Sequence, residues 1–172
     1  MRIHVTGASG SGSSTLASAL SEHLGCTYLD GDCYFWVSPE PPFHLKRDPE
    51  ERLKLLTADA DKAGKFVLAG SIYGWGIDLE DSFDLIVFLY LSTEIRISRL
   101  RERELLRFGV VDEHFIEWAA QYDTGTREGR SLEKQLAWLD SRRCPILLLE
   151  GDFSIEERAN KVIKYVRYLQ SK

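Results

Sequence analysis

Ile3-His4-Val5-Thr6-Gly7-Ala8-Ser9-Gly10-Ser11-Gly12-Ser13-Ser14-Thr15 begins as a short strand-like run, breaks into glycine and serine, and then enters a helical pattern. That order decides the fold. Gly7 and Gly12 stand at the spacing of the phosphate-loop (Walker A) pattern G-x-x-x-x-G-K-[ST], with Ser13 in the lysine position. Glycine permits positive φ and lets backbone N–H groups converge on phosphate oxygens, and the helix that follows aims its positive dipole end at the same place. Gly7, Ser9, Gly10, Ser11, Gly12, Ser13, Ser14 and Thr15 are therefore read as a phosphate cradle. Leu16, Leu20 and Leu24 recur at helical spacing before Gly25, which predicts a helix over Ser13 to Leu24.

Working outward, strand-like runs lie at Ile3–Thr6, Thr27–Leu29, Phe66–Ala69, Leu85–Leu91 and Ile146–Leu149, with helical patterns between them. This alternation predicts a single α/β domain spanning 1–172, a parallel five-stranded sheet flanked by helices. The second helix is expected from Pro49 to Gly64, with Leu53, Leu56 and Ala60 inward. Ser92 is expected to cap a long charged helix that stops at Gly109. Two shorter helices, Asp112–Tyr122 and Arg127–Asp140, follow, and residues 109–130 form the expected lid. Ser154 and Glu157 make a capping box for a final helix whose buried stripe is Ile155, Ala159, Val162, Val166 and Leu169.

The 172 residues suit one domain, and 44% hydrophobic content supports a core without metal or disulfide. A formal net charge of −5 argues against a nucleic-acid grip. The three cysteines show no metal-ligand spacing and read as reduced thiols. No apolar run is long enough to span a bilayer, and the chain enters a strand where a signal peptide would stand, so a cytoplasmic location is expected.

Two carboxylates, Asp30 and Asp32, close the second strand, where ligands gather in open α/β sheets. One suits a Mg²⁺ water shell and the other an acceptor hydroxyl attacking a γ-phosphate. Asp-Gly-Asp is also ordinary turn chemistry. Ser14, directly after the lysine position, is the candidate Mg²⁺ hydroxyl, with Thr15 the alternative. Two aromatic segments border this region. Tyr34-Phe35-Trp36 runs into Pro39, Pro41 and Pro42, and Gly70-Ser71-Ile72-Tyr73-Gly74-Trp75 follows the third strand. Trp36, Gly70, Ser71 and Trp75 are candidates to line an acceptor pocket; the tryptophans read equally well as packing. On the long helix Arg96, Arg99, Arg103 and Arg107 share an arc of roughly 80°, a cation row or a solvated face laced with ion pairs. Arg127 and Arg130, at the far end of that expected lid segment, are further candidates. The four histidines show no metal or relay spacing.

The loop, the Leu29-Asp30-Gly31-Asp32 motif and the element order resemble the nucleoside-monophosphate-kinase and shikimate/gluconate-kinase branch of P-loop phosphotransferases. The resemblance covers nearly the whole chain. It is closer still to adenylate-kinase-like bacterial proteins that carry G-A-S-G-S-G-[ST]-[ST]-T, an aromatic and proline-rich segment, and G-S-x-x-G-W after the third strand, with Ser or Thr in the lysine position. The resemblance implies ATP and Mg²⁺ as cofactors and a nucleotide, nucleoside or hydroxylated metabolite as acceptor. It implies Asp30 for Mg²⁺ and Asp32 for the acceptor. Asp152, in Glu150-Gly151-Asp152-Phe153, falls where such kinases border adenine. Lid arginines close on the triphosphate in that branch, which selects Arg103 and Arg107 to replace part of the missing lysine charge. The expected activity is ATP-dependent phosphotransfer by a monomer or homodimer. The competing expectation, resting on Ser13, is a nucleotide-binding regulatory protein that lost catalysis with the lysine.

Overall fold

The computed structural model describes residues 1–38, 45–125 and 129–172. Among them, β1 (Arg2–Gly7), β2 (Thr27–Asp30), β3 (Phe66–Ala69), β4 (Leu85–Tyr90) and β5 (Ile146–Glu150) form one parallel sheet in the order β2-β3-β1-β4-β5. Helices α1 (Ser13–Leu24), α2 (Gly31–Phe35), α3 (Pro49–Ala63), α4 (Ile77–Glu80), α5 (Thr93–Phe108), α6 (Glu113–Ala120), α7 (Leu132–Asp140) and α8 (Ile155–Gln170) surround it.

The inner strands read as continuous apolar runs because both their faces are covered. Val67 and Ala69 turn towards α1 and α8, packing with Leu16, Leu20, Val162 and Val166. Phe66 and Leu68 turn the other way, among Leu56, Ile86, Phe88 and Trp138. With β1 central, its C-terminal loop emerges between the ends of β3 and β4, where the strand order switches direction and a ligand crevice forms. The smaller cluster of Leu100, Ile116 and Ala119 fixes α6 on α5.

The helix stops fall where glycine allows them. Gly25 at φ 59° ends α1 and Gly109 at φ 70° ends α5. The capping box at Ser154 and Glu157 is formed in both directions. Ser92 occupies the N-cap of α5, yet its side chain caps nothing, contrary to expectation. The helix expected from Arg127 begins at Leu132, because the Ser131 hydroxyl accepts the Lys134 N–H and fixes the start there; Arg127 itself, like Pro39, Pro41 and Pro42, lies outside the described residues. Two short helices were not anticipated. Asp30 caps α2 by accepting the Asp32 N–H, so the Asp-Gly-Asp turn becomes a helix start, and α4 follows the Trp75 loop.

Candidate active site

The loop between β1 and α1 is built for close approach. Gly10 and Gly12 take φ 84° and 89°, which side-chain-bearing residues rarely adopt. A Cβ on Gly7 would stand 2.5 Å from the Leu89 carbonyl oxygen, and one on Gly10 2.7 Å from that of Arg96, so the loop is seated directly on β4 and α5. Gly12 is the N-cap of α1 and no side chain caps that end, which leaves the helix's first N–H groups for an anion. Ser9, Ser11, Ser13, Ser14 and Thr15 line the same turn, with Ser11 fully buried beneath it.

Arg96 is 1% exposed and is part of the frame. Its guanidinium donates to the carbonyls of Leu91, Ser9 and Ala119 and to the Thr93 hydroxyl, and pairs with Asp123 at 3.5 Å. One buried cation thus ties the phosphate loop to α5 and α6.

Across the loop, Tyr28 bridges the two candidate magnesium residues. Its hydroxyl donates to Asp30 Oδ2 at 2.7 Å and lies near the Ser14 side chain, while Asp30 Oδ1 accepts the Asp32 N–H at 3.0 Å. Burial, and next the Asp30 carboxylate, push the Tyr28 phenol upward, so it stays protonated. Ser14 and Asp30 are hard oxygen donors on either side of Tyr28, and among the described residues no group of three or more Asp, Glu, His or Cys side chains is placed to hold a metal ion. That donor set fits Mg²⁺, which takes one or two protein oxygens and completes its shell with water and phosphate.

Asp32 opens to solvent at the mouth of the crevice. Loss of hydration from the surrounding protein, and then the Asp30 charge, raise its pKa above the usual carboxylate range; Arg130 and Arg103 pull it back down. Arg130 has its guanidinium over the Trp118 ring and Nη2 3.5 Å from the Ser9 hydroxyl. Burial lowers its pKa, and Asp32 opposes the shift. The structure therefore brings Asp32, Arg103 and Arg130 into one electrostatic neighbourhood beside the loop. Arg103 also pairs with Glu104 at 3.2 Å and lies over Phe115, whereas Arg107 is exposed, over Phe108 at the far end of α5.

On the acceptor side, Gly70 has φ 100°, and its backbone passes close to Gly31, where a Cβ would stand 3.1 Å from the Ala69 carbonyl oxygen. Ser71 is half-buried beside it. Trp75 is buried, its indole stacked on Phe35 and covered by the Arg52 guanidinium at 4.7 Å. Buried Glu80 accepts the Trp75 and Gly76 N–H groups and the Trp138 indole N–H, which locks that loop in place. Trp36 is half-buried and meets Phe35 edge-on. Trp75 is therefore packing, and Trp36 is the aromatic left nearer the surface.

Two further residues stand beside the loop that the sequence motifs do not single out as phosphate ligands. Arg158, on α8, reaches the loop from below, and Arg99, from the arginine row, stands beside it and pairs with Asp152. The available signal was helical spacing: Arg158 lies three residues after Ile155 and four before Val162, on the apolar face of α8.

The AAA_18 family, described as "AAA domain", matches residues 3–106. An uncharacterized protein of Bacillus subtilis, YqaC, is 41% identical over 95% of this chain and 96% of its own length. A cytidylate kinase of Methanothrix thermoacetophila is 32% identical over 60% of this chain and 64% of its own. In solved structures, the fold is matched by a shikimate kinase from Acinetobacter baumannii in complex with shikimate, at TM-score 0.62 and 15% identity over 99% of this chain and 95% of that one. A glycine loop seated on β4 and α5, an uncapped helix start above it and this set of relatives agree: the chain belongs to the AAA_18 family and has the P-loop kinase fold of the nucleoside-monophosphate, shikimate and gluconate kinase branch.

Proposed function

We propose that the protein is an ATP-dependent phosphotransferase that moves the γ-phosphoryl group to a hydroxyl or phosphate of a small acceptor by direct in-line transfer. What supports this reading is the Asp32 carboxylate, exposed just after β2, with a raised pKa and within the electrostatic reach of Arg103 and Arg130. A carboxylate there accepts the acceptor's proton or orients its attacking oxygen, and the arginines face the charge that develops on the transferring group. The loop amides hold the nucleotide phosphates. Ser14 and Asp30 hold Mg²⁺, which neutralises β- and γ-oxygens when bound. Asp152 borders the base side, and Gly70, Ser71 and Trp36 the acceptor side. Arg107 joins Arg103 over the phosphates only when the lid closes. The cytidylate kinase relatives make a pyrimidine nucleoside monophosphate the first acceptor to try.

Ser13 supports a second reading, a nucleotide-binding regulator without turnover, since serine donates a hydrogen bond but brings no charge. The test is ADP formation from ATP and Mg²⁺ across a panel of nucleoside monophosphates, nucleosides and hydroxy acids. Acceptor-dependent ADP formation supports the kinase. Firm ATP binding with no turnover on any acceptor supports the regulator.

A further inference from the structure

The loop has no lysine of its own, so its surroundings decide whether the nucleotide phosphates meet a fixed positive charge. A Cβ built on Gly12 would lie 3.2 Å from Arg158 Nη1 and 3.9 Å from Arg99 Nη1. Two guanidinium groups thus converge on the one residue that precedes the vacant lysine position. Arg158 is 1% exposed. Its Nη1 donates to the Ser11 carbonyl at 2.8 Å and its Nη2 to the Gly151 carbonyl at 3.1 Å, while its Nε is buried with no partner among the described residues.

A buried, under-satisfied guanidinium beside a second one is costly as it stands. The ionisation of Arg158 reflects this: burial lowers its pKa most, the Arg99 charge lowers it further, and Asp152 alone acts in the opposite direction. Asp152 is itself engaged by Arg99. One carboxylate therefore serves two guanidinium groups, and the corner keeps an uncompensated positive charge directed at the loop.

We infer that Arg158 and Arg99 supply, from the β5–α8 corner and from α5, the fixed cation that a phosphate loop ordinarily carries on its lysine. This rests on the reading of the loop as a nucleotide-phosphate site. Arg158 is held by carbonyls on both sides and presents charge through the loop; Arg99, half-exposed, leaves Asp152 to meet the phosphate directly. The charge is then present before any lid closes, unlike that of Arg107.

The test is isothermal titration of MgATP and of inorganic tripolyphosphate into the parent, Arg158→Met, Arg99→Met, Ser13→Lys and each arginine variant combined with Ser13→Lys. Each arginine variant should bind both ligands ~10-fold or more weakly, the scale of a lost charge-assisted contact. Loss on tripolyphosphate, which has no base, separates phosphate binding from adenine packing. Adding Ser13→Lys should return most of the lost affinity, a rescue that a purely structural arginine would not show. If Arg158→Met fails to fold by circular dichroism, the Arg99→Met and Ser13→Lys pair carries the test. Parental tripolyphosphate affinity in the arginine variants, or no rescue by lysine, overturns the inference while leaving the loop reading intact. A parent that binds neither ligand overturns the loop reading and this inference with it.

Discussion

In the proposed mechanism the chemistry turns on Asp32 and Arg130. The Asp32 carboxylate is the working form, and its pKa is raised by desolvation and by Asp30 while Arg130 and Arg103 oppose the rise. As pH falls through that pKa the base is lost, so kcat/KM should decline on an acid limb set above that of an ordinary aspartate. Removing an opposing cation raises the pKa further, and Arg130→Met should therefore move the acid limb to higher pH. A limb that stays where the parent has it would show that Arg130 does not act on Asp32. Residue types at this scale were partly legible. Asp30 and Asp32 stood out because a phosphate loop preceded them, whereas Arg158 reads as one more charge on a polar helix until its position on the apolar face is counted. Trp75 misled in the opposite direction. Its neighbouring glycines suggested a pocket wall, yet buried Glu80 holds its backbone and Arg52 covers its ring.

At the scale of elements, the phosphate loop depends on α5 as much as on its own glycines. Gly10 packs against the Arg96 carbonyl, and Arg96 donates to the Ser9 carbonyl. Gly10→Ala combines a φ of 84° with a Cβ 2.7 Å from backbone, so the loop must lift from α5. Its ATP affinity should fall by ~10-fold or more while the sheet core stays folded. Parental affinity in that variant would show that the seating is dispensable. Arg96→Met, which takes the guanidinium from Asp123 and from three carbonyls, should cost ~3 kcal/mol of stability, read by chemical denaturation. A loss within ±0.5 kcal/mol, the range of an ordinary surface substitution, would remove Arg96 from the frame. Strands and helix stops were legible because their signals are local: β-branched runs, glycine C-caps and the Ser154 capping box. The start of α7 and the existence of α2 were not, since each depends on one short side chain accepting a backbone N–H, Ser131 in one case and Asp30 in the other.

For the whole molecule, the sheet order places His4 of β1 in the core, between Phe83 and Trp138, with Nε2 2.9 Å from the Gly70 carbonyl. Burial lowers its pKa from 6.5 to about 4. The unfolded chain binds a proton at His4 below about pH 6.5 and the folded protein does so only near 4, so stability falls as pH drops through that window. The loss amounts to ~3 kcal/mol once both pKa values are passed. His4→Gln should flatten the pH dependence of chemical unfolding between those values; a parallel curve would show that His4 is not responsible. The parallel architecture followed from alternating patterns along the chain, but the meeting of α8 with the phosphate loop depends on the sheet order, which no local pattern encodes. The proposed mechanism requires Asp32 to act on the acceptor and not on ATP. The decisive measurement is acceptor-dependent ADP formation by Asp32→Asn relative to the parent, with ATP affinity measured on the same samples. Turnover lowered by ~10²-fold or more with ATP binding largely retained is the expected result. Turnover at the parental rate would contradict it.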